Sequence, residues 1–422
     1  LCIVKSKSLW NLITLQEKLA PGGLPPNIRR DLFKSFVLAG VALRDMQELN
    51  GYFDQILSPL KVRFDNLVTQ EGTFRANYHK EEVQKEVIDI LESFIGIAKG
   101  SHMTTVQILF QFLAPMLAEL PKILTFYNNY QIIVQLILEL FGQCAKNMLC
   151  YLCQLDSKKL YESTLATVQA YAKCNSNKFS GETLAEENSF QDLALILDLL
   201  TFILSKDCID LCPIDEEVVT VTASDVSLFG LNFIMPLMTV DLLKYPSLCS
   251  QYYRLLVLIN DIYPEKICNL PQNLFQQLLS SIELGLTQFG SDVAQASLDF
   301  VQGMSSYFFR NSLQQSPICQ AMKPFLKLIL DLTLSHQINS DLMSSASTCI
   351  YALICCYEEE YRGLVDRLIK SQVDPLIADR LAAAFHNLTL NVAMNGERQP
   401  KLKFRDNFDK FIANVQGFLL VK

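Results

Sequence analysis

Apolar residues along this chain recur at helical spacing almost throughout. Between Glu81 and Ala98, the residues Val83, Val87, Ile90, Leu91, Phe94, Ile95 and Ala98 form one stripe. That three-to-four-residue period marks an amphipathic helix. Glu82, Glu86 and Asp89 fall opposite the stripe and predict an acidic outer face. Strict alternation is scarce; the one β-branched run, Val218 to Thr222, sits in an acidic stretch. Asn27 is placed to cap a helix over 28–44, and Pro246, Pro264, Pro271 and Pro324 stand at first-turn positions.

The helices repeat. A strongly apolar one starts near Asp31, Val87, Leu136, Ala194, Tyr252, Ala296 and Ser347, at steps of 44 to 58 residues. Second helices lie between them, over 53–68, 106–120, 161–172, 226–238, 274–286, 324–334 and 361–370. A final helix over 406–420 reads as a terminal cap. One amphipathic pair cannot bury both of its stripes alone, so it stacks on its neighbours. The predicted fold is all-α: an α-solenoid, or superhelix, of about seven to eight HEAT-like antiparallel helix pairs. A two-domain helical bundle is the competing architecture. The breaks near 21–26, 173–188, 208–224 and 390–403 are not long flexible linkers, so a single domain is expected.

Composition narrows the classes. The 422 residues are 50% hydrophobic and 19% charged, which excludes a disordered chain. The net charge of −8 argues against nucleic acid, which needs a basic footprint. Polar residues interrupt the greasiest stretches: Gln135 and Glu139 the first, Asp198 the second. No membrane insertion is therefore expected. The 13 cysteines lie mostly within apolar helical runs and predict free thiols in a reducing compartment, cytosol or nucleus.

Chemistry is sparse. There is no phosphate-binding glycine loop, no dinucleotide fingerprint and no zinc-protease motif. His79, His102, His336 and His386 are far apart. Cys150 and Cys153 have C-x-x-C spacing but no histidine and an apolar setting, so they are read as core, as are Cys355 and Cys356. No catalytic residue, cofactor or metal is expected. Single acids inside apolar helices (Glu139, Asp198, Asp261, Asp299, Asp331) each require a partner if buried. The candidate contact residues are acidic: Asp207, Asp210, Asp215, Glu216 and Glu217 in one inter-helix segment, and Glu82, Glu86 and Asp89. Glu358, Glu359 and Glu360 form a further cluster. Such faces favour basic protein partners.

Several stretches carry a resemblance. They include Gln191–Thr201 with Leu204–Asp210, then Pro236–Met238 with Asp241–Lys244, and Pro264–Ile267 with Leu270-Pro271. Near the end stand Asp374-Pro375 with Arg380–Ala382, and Ala413–Lys422. In these the chain resembles the exportins of the importin-β (karyopherin) superfamily, weakest before about Tyr78. The resemblance implies HEAT repeats and a nuclear export receptor that binds Ran-GTP together with protein cargo. It implies passage through nuclear pore proteins and shuttling between nucleus and cytoplasm. The implied cargoes are the hypusine-bearing eukaryotic initiation factor 5A and Smad-type factors, with import of some Sox-type factors. The match at Lys422 and the start at Leu1 suggest the C-terminal part of a longer receptor. The main Ran-binding repeats of such receptors are N-terminal, so no contact residue transfers by motif. The alternative is a helical-repeat scaffold, or adaptor, without Ran dependence.

Overall fold

The computed structural model describes residues 4–69, 71–175, 187–206, 221–335 and 337–416. Among them the secondary structure is helical, without strands. The chain forms two compact units, Leu1–Leu248 and Cys249–Lys422.

The first unit contains α1 (Lys7–Glu17), α2 (Pro26–Gly40), α3 (Met46–Thr69), α4 (Glu71–Asn77), α5 (Glu81–Gly100) and α6 (Val106–Phe126). It continues through α7 (Gln131–Asn147), α8 (Gln154–Asn175), α9 (Glu187–Lys206), α10 (Ala223–Ile234) and the short α11 (Val240–Leu243). Two rows result. Helices α2, α5, α7 and α9 pack in series, and α3, α6, α8 and α10 back them one for one. This is the all-α repeat solenoid that the spacing predicts. The inner front-row helices, α5 and α7, touch a neighbour on either side and a backing helix behind. That is why Phe94, Ile95, Ile97, Leu138, Leu140 and Phe141 are all fully buried. Each such side chain contributes about 1.5–3 kcal/mol.

The approach of α2 to α5 is set by glycine. A Cβ on Gly96 would stand 2.3 Å from the Arg30 carbonyl oxygen, and one on Gly100 would stand 2.8 Å from that of Lys34. Helix α6 is long and apolar enough to cross a bilayer by length and composition. It nevertheless packs on α8, with Leu109, Phe110, Leu113, Leu120 and Leu124 at 0% exposure, and carries Pro115 and Pro121 inside.

Helix α12 (Pro246–Ile262) begins just before the unit boundary. The second unit holds the rest of it and α13 (Pro264–Cys268), α14 (Gln272–Thr287), α15 (Ser291–Arg310), α16 (Pro317–Met322) and α17 (Pro324–Leu334). Then follow α18 (Met343–Cys356), α19 (Glu358–Lys370), α20 (Pro375–Thr389) and α21 (Arg398–Gln416). The row here runs α15, α18, α21, backed by α14, α17 and α20. Phe385 of α20 meets Phe411 of α21 at 4.8 Å between ring centroids, and Tyr351 of α18 meets Phe404 at 5.5 Å.

The short α4, α11, α13 and α16, and α1, add to the predicted helices, and three further details differ. Asn27 caps nothing; α2 starts at Pro26, and the favourable proline φ at the first turn replaces a side-chain cap. The last helix starts at Arg398, because Pro400 falls within the first turn, where a missing N–H costs nothing. Its last predicted residues, 417–420, lie outside the described residues. Helix α20 was not anticipated, although Asp374 caps it by accepting from the Leu376 N–H at 2.9 Å.

Candidate interaction surface

The front-row helices present their polar residues along the edges where neighbours meet, and in the first unit these are largely consumed by one another. Arg30 on α2 donates to Glu92 on α5 at 2.5 Å and, through both terminal nitrogens, to Glu139 on α7 at 2.8 and 2.9 Å. Lys99 adds a second cation to Glu139 at 3.0 Å. Burial pulls the Arg30 guanidinium down, but the hydrogen bond to Glu92 and the charge of Glu139 outweigh it and leave it raised. Between α7 and α9 the rungs are amides. Gln131 donates to Asp192 at 2.6 Å and Gln135 to Gln191 at 3.1 Å.

The three predicted acids of α5 separate. Glu82 is exposed. Glu86 is half-buried and accepts both arms of Arg63 on α3, at 2.6 and 2.7 Å. Asp89 is only 1% exposed; it pairs with the fully buried Arg29 at 3.0 Å and accepts the Gly22 N–H at 3.0 Å. The expected free acidic face is therefore corrected for Glu86 and Asp89. Inside its row, α5 has α2 and α3 against its polar side, so a side opposite the apolar stripe is not a side facing water. Burial holds the Asp89 carboxyl above the ordinary carboxylate range, against the pull of the Gly22 N–H and Arg29. Asp207, Asp210, Asp215, Glu216 and Glu217 lie outside the described residues.

The isolated acids also divide. Glu139 has the cross-helix partners expected of it. Asp198 is half-buried. Asp331 is exposed and pairs within its own helix with Lys327 at 2.6 Å, and Asp261 is exposed as well. Both lie largely toward solvent on apolar helices, so neither needs the partner that a buried carboxylate would. Of the Glu358–Glu360 cluster, Glu358 pairs with Arg362, and Glu360 with Lys323 at 2.8 Å and Arg367 at 2.9 Å.

Charge is left over in the second unit. A cleft of about 300 Å³ between α12 and α15 is lined by Asp261, Asp292, Asp299, Arg254, Tyr253 and Gln295, among others. Gln295 donates to Asp299 at 2.8 Å and accepts from Ser345 of α18 at 2.8 Å. Asp261 and Asp299 form no ion pair among the described residues. Partial burial and the charge of Asp299 hold the Asp261 carboxyl above the ordinary range. Three carboxylates facing one guanidinium attract a cationic side chain. The row spacing could have flagged this site, because Asp292, Gln295 and Asp299 recur at helical period.

Among the described residues the histidines do not come together. His79, His102 and His386 are exposed and separate, and His336 lies outside the described residues. Among the described residues no group of three His, Cys, Asp or Glu side chains could hold a metal ion. Cys153, read as core, is exposed; it and half-buried Cys150 sit at the turn between α7 and α8, where the chain leaves the packed rows. Cys355 and Cys356 are likewise half-buried, not core.

The profile of the exportin-4 family matches residues 1–422, the whole chain. The chain belongs to the exportin-4 family. It is also similar to Ran-binding protein 16 of Drosophila melanogaster, 26% identical over 197 residues. That match covers 42% of this chain and spans 18% of the relative's length. Membership of the exportin-4 family fits the rows of packed helices described.

Proposed function

We propose that the chain is part of a nuclear export receptor that takes protein cargo together with Ran in its GTP form. The observation that carries this is the match to the exportin-4 family over all 422 residues. The similarity to a relative named for Ran binding supports the nucleotide-dependent part. In this reading the protein is a receptor and not an enzyme. It moves between nucleus and cytoplasm through contacts with nuclear pore proteins. Its cargo is basic or hypusinated: eukaryotic initiation factor 5A and, more broadly, Smad-type factors. Contacts come from the Asp261–Asp292–Asp299 cleft, from Glu82, and from Asp207, Asp210, Asp215, Glu216 and Glu217. Unneutralised carboxylates raise the association rate and selectivity for a cationic partner.

The test is the affinity of the 422-residue chain for the hypusinated factor, with and without Ran loaded with nonhydrolysable GTP. Tighter binding with Ran supports the proposal. Equal affinity in both arms points to an adaptor without Ran dependence. Binding in neither arm refutes cargo recognition by this chain. Reversing Asp215, Glu216 and Glu217 to Lys should weaken the cargo and flatten the salt dependence of binding.

A further inference from the structure

The outer ridge of α15 changes sign along its length. Beyond Asp299 it continues as Gln302, Ser306 and Arg310, four residues apart on one face. A second cavity, also of about 300 Å³, opens there, closed on its far sides by Thr348 and Tyr351 of α18 and Lys401 of α21. Its two charged lining groups, Arg310 and Lys401, are both cations, and neither makes an ion pair among the described residues. The one carboxylate whose charge reaches Lys401 is Asp299, a turn earlier on α15 and hydrogen-bonded to Gln295. The described residues therefore leave two positive charges lining one partly open cavity.

The cavity is built and held. Tyr351 donates its hydroxyl to the Ala393 carbonyl at 2.9 Å and so fixes the α20–α21 loop against α18. Gly396 in that loop has φ of +73°, a left-handed conformation natural to glycine. A Cβ there would also press on the Phe309 ring at 3.2 Å. Asn395 accepts the Glu397 N–H at 3.1 Å, which sets the start of α21 and with it the position of Lys401. Thr348 spends its hydroxyl on the Ser345 carbonyl. The Gln302 amide and the Ser306 hydroxyl line the cavity beside the two cations.

Holding two like charges in a partly enclosed space is unfavourable unless an anion joins them. The Lys401 amine carries that burden: burial, and after it the charge of Arg310, draw it below the ordinary lysine range. The number of charges then selects the anion. A carboxylate cancels one cation and offers two oxygens. A phosphate monoester carries −1.5 to −2 near neutral pH and offers three acceptor oxygens. Arginine and lysine are the side chains that hold it. The walls provide no deep apolar compartment for a base or an acyl chain, so the ester comes on a small stem.

We infer that the cavity between α15, α18 and α21 binds a phosphate monoester presented by a phosphorylated side chain of a protein partner. Arg310 and Lys401 take the charge, and the Gln302 amide and Ser306 hydroxyl donate to the remaining oxygens. The inference does not rest on Ran or on a basic cargo, since the acidic cleft and this cavity favour ligands of opposite sign.

The test is calorimetric titration of the full 422-residue chain at constant ionic strength. Four probes are used: N-acetyl-O-phosphoserine amide, N-acetylserine amide, N-acetylglutamate amide and inorganic phosphate. Saturable binding of the phosphoserine probe, with neither of the other amides binding, is expected. R310Q and K401Q should each weaken it by about tenfold to a hundredfold, the scale of a hydrogen bond to a charged group. Arg310 is exposed. R310Q therefore carries the test should K401Q alter the thermal transition. As a second readout, the phosphoserine probe should slow acylation of Lys401 in the unsubstituted chain. Absence of saturation, or unchanged affinity in both variants, overturns the inference. Equal binding of the glutamate probe overturns the phosphoryl assignment. Binding of inorganic phosphate without the ester overturns the protein-borne source.

Discussion

Replacing Arg29 by Met isolates the cost of one buried charge. Arg29 is 0% exposed and Asp89 1%, and their charged groups lie 3.0 Å apart. Removing two charges from water costs several kcal/mol each, and their attraction recovers most of it, so such a pair stands near balance. Removing one partner destroys the balance. In Arg29→Met the Asp89 carboxylate keeps the Gly22 N–H, and Arg63 remains 3.9 Å away but is engaged with Glu86. The carboxylate can escape by taking a proton, and this sets a ceiling. From the ordinary value of 3.8, protonation at pH 7 costs about 4.4 kcal/mol, and at pH 5 about 1.6 kcal/mol. The expected loss at pH 7 is therefore about 3–4 kcal/mol, on the order of 10 °C in Tm. The sign with pH follows from the direction of the shift. Burial already holds Asp89 above 3.8 in the folded chain. Its stabilising contribution is complete below that value and is lost as pH rises through the folded pKa. The deficit of Arg29→Met should thus shrink from pH 7 to pH 5, and adding Asp89→Asn should recover at least half of it at pH 7. The assay is urea unfolding at both pH values, with hydrogen exchange locating the loss in α2 and α5. A deficit independent of pH, or no recovery in the double variant, would refute the reasoning and leave only lost packing of the arginine stem.

Four further outcomes are expected. Leu199→Ala, at a fully buried position of α9, should cost about 2–5 kcal/mol in urea unfolding; a neutral result would mean that this face of α9 is misassigned. Gly96→Ala gains about 1 kcal/mol of helix propensity but drives a methyl into the Arg30 carbonyl, so net destabilisation by about 1–3 kcal/mol is expected; a raised Tm contradicts it. In thiol labelling at pH 8, exposed Cys153 should react in the native chain. Buried Cys144, pushed up to about 12, should wait for unfolding, and equal rates would contradict the packing of α7. Hydrogen bonds from Lys323 and Arg367 hold the Glu360 carboxyl below its ordinary 4.5. Its contribution is present above 4.5 and lost as pH falls through the folded value. Lys323→Met should shift that titration upward when followed by NMR.

Periodicity made the repeat legible because each pair shows one strong signal, the apolar stripe. All seven apolar helices occur, as α2, α5, α7, α9, α12, α15 and α18, and all seven second helices, as α3, α6, α8, α10, α14, α17 and α19. Helix α20 escaped because its first half is largely exposed, and only Leu381, Ala384, Phe385 and Leu388 are buried. Those four nevertheless follow the i, i+3, i+4, i+7 rule, and Asp374-Pro375 is a start signal. The polar residues were harder to place. A stripe has one dry side in an isolated amphipathic helix, but α5 is lined by α2 and α3 as well as by the core. Asp89 therefore points into protein, whereas Asp331, in an equally apolar sequence, faces water. Sequence spacing distinguishes faces of one helix; it does not report which faces neighbours cover.

This distinction decides where the surface can meet a partner. The charges where helices of the first unit meet are largely answered there: Arg30, Lys99, Glu92 and Glu139 form one network, and Arg63 with Glu86 and Arg29 with Asp89 form two pairs beside it. Binding through any of these would first have to break a hydrogen-bonded pair. In the second unit the rungs between rows are neutral instead. Asn260 donates to the Phe300 carbonyl at 3.3 Å, Ser345 to Gln295, and the Cys356 thiol to the Ser305 carbonyl at 3.0 Å. Neutral rungs hold the helices without consuming Asp261, Asp299, Arg310 or Lys401. Those four make no ion pair among the described residues, so an outside ligand would have none to break at them. The two cavities along α15, one acidic and one basic, follow from that separation of holding from binding.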